Sequence, residues 1–109
     1  MGNNAFYYCD SLTNITLPKS VTSIGDWAFY YCISLKDITL PESLTTIGDY
    51  AFNDCKSLTS ITLPESLTII GEFAFSYCFN LTIYAKAFSK PDGWDDNWNY
   101  SDRPVFWGA

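Results

Sequence analysis

Ile24-Gly25-Asp26-Trp27-Ala28-Phe29 is repeated as Ile47-Gly48-Asp49-Tyr50-Ala51-Phe52 and again as Ile70-Gly71-Glu72-Phe73-Ala74-Phe75. The interval is 23 residues, and it extends well beyond the hexapeptide. Cys9, Cys32, Cys55 and Cys78 keep it, as do Leu12, Leu35, Leu58 and Leu81, and Pro18, Pro41 and Pro64. A fixed period of this length is the signature of a stacked array, in which each unit touches only its neighbours. The repeat therefore dictates a solenoid.

The inner pattern of one unit assigns its parts. Ile38 and Leu40 alternate with Thr39, as in a strand with one buried face. Pro41 ends that strand because it has no N–H to donate. Leu44 and Ile47 then re-enter the core. Gly48 is expected to hold a conformation that a Cβ resists, and Asp49 to cap a short helical turn carrying Ala51, Phe52 and Cys55. Cys55 and Leu58 follow Phe52 at steps of three, which suits a 3₁₀-like segment. The reading is an α/β solenoid, a right-handed leucine-rich-repeat coil. Each 23-residue unit contributes one short parallel strand and one short helical or 3₁₀ segment. Units start at 1, 24, 47 and 70 and fill residues 1–84, leaving 85–109 as a C-terminal cap.

The motif Leu-x-x-Ile-x-Leu-Pro-x-Ser-Leu/Val-Thr-x-Ile-Gly-x-x-Ala-Phe-x-x-Cys resembles the BspA-like class of leucine-rich repeats, from Met1 to about Tyr84. The tail, with Gly93-Trp94-Asp95-Asp96-Asn97-Trp98-Asn99 and Val105-Phe106-Trp107-Gly108, resembles the terminal cap of such domains. The resemblance implies a cell-surface or secreted, non-catalytic module that binds proteins, although the first residues of this chain carry no signal peptide.

Composition narrows the functional classes. The chain has 109 residues, room for one domain, and a net charge of −6 at pH 7. That balance argues against nucleic acid, whose phosphates need clustered Lys and Arg. No stretch has the roughly 20 apolar residues that span a bilayer. There is no histidine, and no glycine loop of the kind that cradles phosphate, so no catalytic residue, cofactor, metal site or small-molecule substrate is expected. Four cysteines in one file cannot surround a metal tetrahedrally, and they read as a buried column of free thiols. The acidic column Asp26, Asp49 and Glu72 reads as helix-capping carboxylates.

Two kinds of surface are left as candidates. One binds another protein: the small polar strand positions Thr16, Asp37, Thr39, Ser60 and Thr62, together with Tyr7, Tyr30 and Tyr31 beside the cysteine column. The other joins copies of the chain head to tail into a filament through an uncapped first coil. That face would expose Phe6, Leu12, Asn14, Ile15 and Leu17 and would meet Trp94, Trp98 and Trp107 of the cap. The pattern breaks after Leu81, where Ile83-Tyr84-Ala85 replaces the expected strand. The tryptophans are expected to close the final coil; a sugar-stacking platform would instead need Trp94 and Trp98 exposed and coplanar.

Overall fold

A computed structural model describes all 109 residues. Eight short strands, and no helix, follow one another along the chain. They are β1 (Asn14–Thr16), β2 (Ser23–Ile24), β3 (Asp37–Thr39), β4 (Thr46–Ile47), β5 (Ser60–Leu63), β6 (Ile69–Ile70), β7 (Thr82–Ala85) and β8 (Val105–Trp107). All pairing is parallel: β1 with β3, β2 with β4 with β6, and β5 with β7 with β8. Each full coil thus carries two strands, not one, because Ser23-Ile24 and its repeats form a second narrow ladder. Asn14 lies beside Asp37 and Ile15 beside Ile38, so the pairing offset equals the sequence period.

The expected helical segment does not form, and backbone hydrogen bonds show why. In the second coil the amides of Ala28, Tyr30 and Cys32 close single turns onto Gly25, Trp27 and Phe29. The alternate amides of Trp27, Phe29 and Tyr31 point to the next coil and reach Asp49, Ala51 and Asn53 carbonyls. A helix would use every amide within its own coil. Here half of them join neighbouring coils, and the chain turns by placing Trp27 (φ 61°) and Tyr31 (φ 59°) in the left-handed region. Tyr50, Asp54, Phe73 and Tyr77 repeat this. The steps of three between Phe52, Cys55 and Leu58 are real, but each closes one isolated turn.

Two further expectations change for the same reason, close approach of coils. Gly48 does not have a positive φ. A Cβ built on it would instead fall 2.6 Å from the Asp26 amide nitrogen and 2.7 Å from the Gly25 carbonyl carbon. Asp49 caps no helix. Its carboxylate accepts the Glu72 amide at 3.0 Å, as Asp26 accepts that of Asp49 and Asn3 that of Asp26, both at 2.8 Å. One side-chain oxygen per coil thereby satisfies one backbone donor of the next, which matters because unpaired amides between packed coils are costly.

The core is a set of columns. Phe6, Phe29, Phe52 and Phe75 stack with centroids 5.1, 5.1 and 5.3 Å apart, and Trp98 closes the column edge-on at 6.1 Å. Beside them the thiols of Cys32, Cys55 and Cys78 donate to the carbonyls of Phe6, Phe29 and Phe52. All four cysteines are free. Burial pushes the Cys32 thiol up to about 11. The adjacent Cys78 thiol, then burial, hold Cys55 well above the usual thiol range. Both stay protonated at neutral pH, as small apolar fillers with one weak donor.

Ile83-Tyr84-Ala85 is a strand after all. It lies within β7, which pairs Ser60 with Thr82 and Leu63 with Ala85. The offset there is 22, one residue short of the period, which masks the continuity in sequence. Residues beyond it build an irregular last layer. Trp94 bridges Ile70, the Phe73 amide donates to Asn97, and β8 joins β7.

Candidate interaction surface

The turns that replace a helix set the aromatic side chains outside the core in a continuous run. Trp27 stacks on Tyr50 at 4.3 Å and 2°, Tyr50 on Phe73 at 5.3 Å, and Phe73 meets Tyr100 at 4.9 Å. On the other side Trp27 meets Tyr30 at 4.8 Å, Tyr30 stacks on Tyr7 at 5.1 Å, and Tyr8 lies 4.5 Å from Tyr7 and 4.9 Å from Tyr31. Left-handed residues carry much of it: Trp27, Tyr50 and Phe73 in one file, and Tyr8 and Tyr31 in another, which Asp54 interrupts before Tyr77. That conformation turns each ring off the buried Phe column.

Exposure concentrates at the ends of the run. Tyr8 is 50% exposed and Tyr100 61%, whereas the central rings are half-buried. Asn4, Tyr7 and Trp27 line a shallow depression. Desolvation, then the Tyr8 hydroxyl, raise the pKa of Tyr7. Desolvation, then Tyr8, Tyr7 and Asp54, raise that of Tyr30. The phenols are neutral donors at physiological pH.

Charge is distributed unevenly about this run. The turn segments 1–13, 24–33, 47–55, 70–80 and 94–102 stack on one another and contain eight carboxylates, with no Lys or Arg. The remaining four acids share the rest of the surface with all six basic residues. Two salt bridges are present, Lys56 to Asp54 and Lys90 to Asp96, and only the first reaches the central coils. The aromatic side of the solenoid is therefore its acidic side.

The residues singled out from sequence fall into three groups. Thr16, Asp37, Thr39, Ser60 and Thr62 are exposed on one strand face, a small polar surface that continues into the stacked pair Tyr84 and Phe106 at 5.5 Å. Tyr7, Tyr30 and Tyr31 come together with Tyr8 on the turn side. Phe6, Leu12 and Ile15 are half-buried at the first coil, Asn14 is exposed, and the outer edge of β1 has no pairing within the chain. Leu17 departs from its expected exposure: it is 4% exposed, its amide bound to the Thr39 carbonyl. Trp94 and Trp98 likewise offer no face to a second subunit. They are 2% and 5% exposed, and Trp94 Nε1 donates to the Leu67 carbonyl. Their rings meet at 66°, neither exposed nor coplanar, which excludes the sugar-stacking platform. Trp107 packs against both yet stays 37% exposed.

The repeat pattern does not mark Tyr84, Phe106 or Tyr100 as surface aromatics. The first two become visible once residues 82–85 are read as a strand, since alternation then turns Tyr84 outward. Tyr100 follows from aligning the irregular last layer with Phe73, for which the sequence has no repeat signal.

Comparisons with known proteins agree with this architecture. The family model of the BspA type leucine rich repeat region (6 copies) matches residues 1–89. A leucine rich cell surface protein of Faecalibacterium prausnitzii superposes with a TM-score of 0.77 and 43% identity over 88% of this chain. A leucine-rich repeat protein of Bacteroides capillosus gives 0.71 and 40% over 78%, and one of Bacteroides ovatus 0.65 and 32% over 87%. The chain spans 25%, 61% and 30% of those three structures. No curated protein sequence matches it. With the 23-residue period, the parallel ladders and the family match in agreement, this chain is a member of the BspA-type leucine-rich repeat family.

Proposed function

We propose that the chain is a non-catalytic protein-interaction module that works at a cell surface or in a secreted setting, through the aromatic turn side of its solenoid. The observation that carries this reading is the unbroken ring-to-ring contact from Tyr8 to Tyr100, open to solvent at both ends. Tyr and Trp dominate the energetics of protein interfaces because they bury much area with few rotamers to freeze. A name in the family points the same way: the F. prausnitzii relative is called a cell surface protein.

Photo-crosslinking tests the assignment. With p-benzoylphenylalanine at position 8, a discrete protein adduct is expected from surface extracts of the source cell, identifiable by mass spectrometry. The same probe at exposed Lys90 should give none. Equal labelling from both positions, or none from position 8, would overturn the reading.

A second reading is stacking of copies into a filament through the first coil, where Phe6, Leu12 and Ile15 are half-exposed and the outer edge of β1 has no partner within these 109 residues. Unpaired edges recruit strands. Concentration-dependent mass in solution, abolished by Ile15→Lys, supports it; a monomer at micromolar concentration ends it.

A further inference from the structure

We propose that the aromatic turn side takes a basic polypeptide segment, its Arg or Lys stems laid across the exposed tyrosines and its cationic heads on Asp26, Asp49 and Glu72. This rests on the reading that the turn side is the binding surface, and adds the chemistry of the partner.

The ladder carboxylates are built to be shared. Asp26 and Asp49 each use one oxygen, Oδ1, to accept the amide of the next coil. Their second oxygens take no hydrogen bond within the chain, and neither residue is in a salt bridge. Glu72 ends the series exposed. Register sets these three carboxylates one per coil, each adjacent in sequence to the stacked Trp27, Tyr50 and Phe73.

The sign of the partner follows from what burial would cost. An apolar partner covering this side would strip water from carboxylates and leave them unpaired, which is strongly unfavourable. An acidic partner, nucleic acid included, would be repelled. A basic segment gains from both features, since its aliphatic stems cover aromatic area while its heads reach carboxylate. Complementary charge also speeds encounter, because the acidic side concentrates cations.

Asn3 provides a clean test. It holds the same ladder position in the first coil and accepts the Asp26 amide without a charge, so Asp→Asn changes here keep the fold. The 109-residue chain is titrated with a twelve-residue Arg-Gly peptide and with its Glu-Gly counterpart, by fluorescence anisotropy at low and high salt. Binding of the Arg-Gly peptide alone is expected, weakening as salt rises. D26N/D49N/E72Q should weaken it about tenfold, equivalent to about 1.4 kcal/mol, with an unchanged melting temperature. E42Q/E65Q/D92N removes the same net charge elsewhere and should change affinity less than twofold. Equal weakening by both triple variants would mean that net charge alone is sensed, and would overturn the proposal. So would absence of Arg-Gly binding; in that case a position-8 crosslink would still leave the module reading standing, with a different partner.

Discussion

Replacing Phe52 with alanine is expected to cost about 4 kcal/mol of stability, in the middle of the range for core aromatic truncations. Phe52 is fully buried and sandwiched between Phe29 and Phe75 at 5.1 and 5.3 Å. Its removal opens a void that borders both neighbouring rings. In a stack where each coil contacts only the coils beside it, damage in a central unit weakens two interfaces together. The coils cannot collapse into the gap, because their spacing is fixed by backbone hydrogen bonds on both sides, such as Phe29 to Ala51 and Phe52 to Ala74. Phe6→Ala provides the internal comparison. Phe6 has one stacking neighbour and is only half-buried, so its loss should cost clearly less. Denaturant unfolding of the two variants measures the difference; equal costs would contradict a column that runs through the coils.

Gly48→Ala is the second large effect, and its sign is diagnostic. At an unconstrained loop glycine, alanine stabilises a protein by about 0.4–1 kcal/mol by restricting the unfolded chain. Here the added carbon collides with the Asp26 amide and the Gly25 carbonyl carbon, which are backbone atoms that cannot rotate away. Coils 2 and 3 must separate locally, lengthening the Gly48 to Ile24 and Asp49 to Asp26 hydrogen bonds, both 2.8 Å. A loss of about 3 kcal/mol is expected, at the upper end for overpacked sites. Gly2→Ala is the control, since nothing lies within 4 Å of its would-be Cβ, and it should be neutral or slightly stabilising. Thermal or denaturant unfolding that finds Gly48→Ala as harmless as Gly2→Ala would show that the coils are further apart than described.

The array and its core were legible in the sequence because a 23-residue period states which residues lie above which. Phe29, Phe52 and Phe75, and the cysteines beside them, could be placed in columns with no knowledge of the backbone between them. The backbone itself was not legible. Left-handed conformations normally call for Gly or Asn, yet Trp27, Tyr31, Tyr50, Phe73 and Tyr77 adopt them. What compensates is the hydrogen bonding of alternate amides to the next coil, a property of the stack that no single unit displays. The same blindness applied to Gly48 and Asp49, whose roles are set by the coil before and the coil after, not by their own conformation. In the cap, one residue fewer between Leu81 and the β7 strand hid the pairing of Tyr84, and with it the aromatic end of the strand face. The charge division was present in the sequence from the start. Every Lys and Arg falls outside the turn segments, but that pattern has no meaning until the turns are known to form one side of the molecule.

Everything proposed for the turn side depends on its amides reaching from coil to coil. Scalar couplings transmitted through hydrogen bonds, measured by NMR on labelled protein, read those partners directly. Couplings from the Phe6, Phe29 and Phe52 amides to the carbonyls of Ala28, Ala51 and Ala74 are predicted, each 22 residues along the chain. Couplings from the same amides to carbonyls three or four residues earlier, as in a helical segment, would contradict the account and remove the aromatic stripe with it.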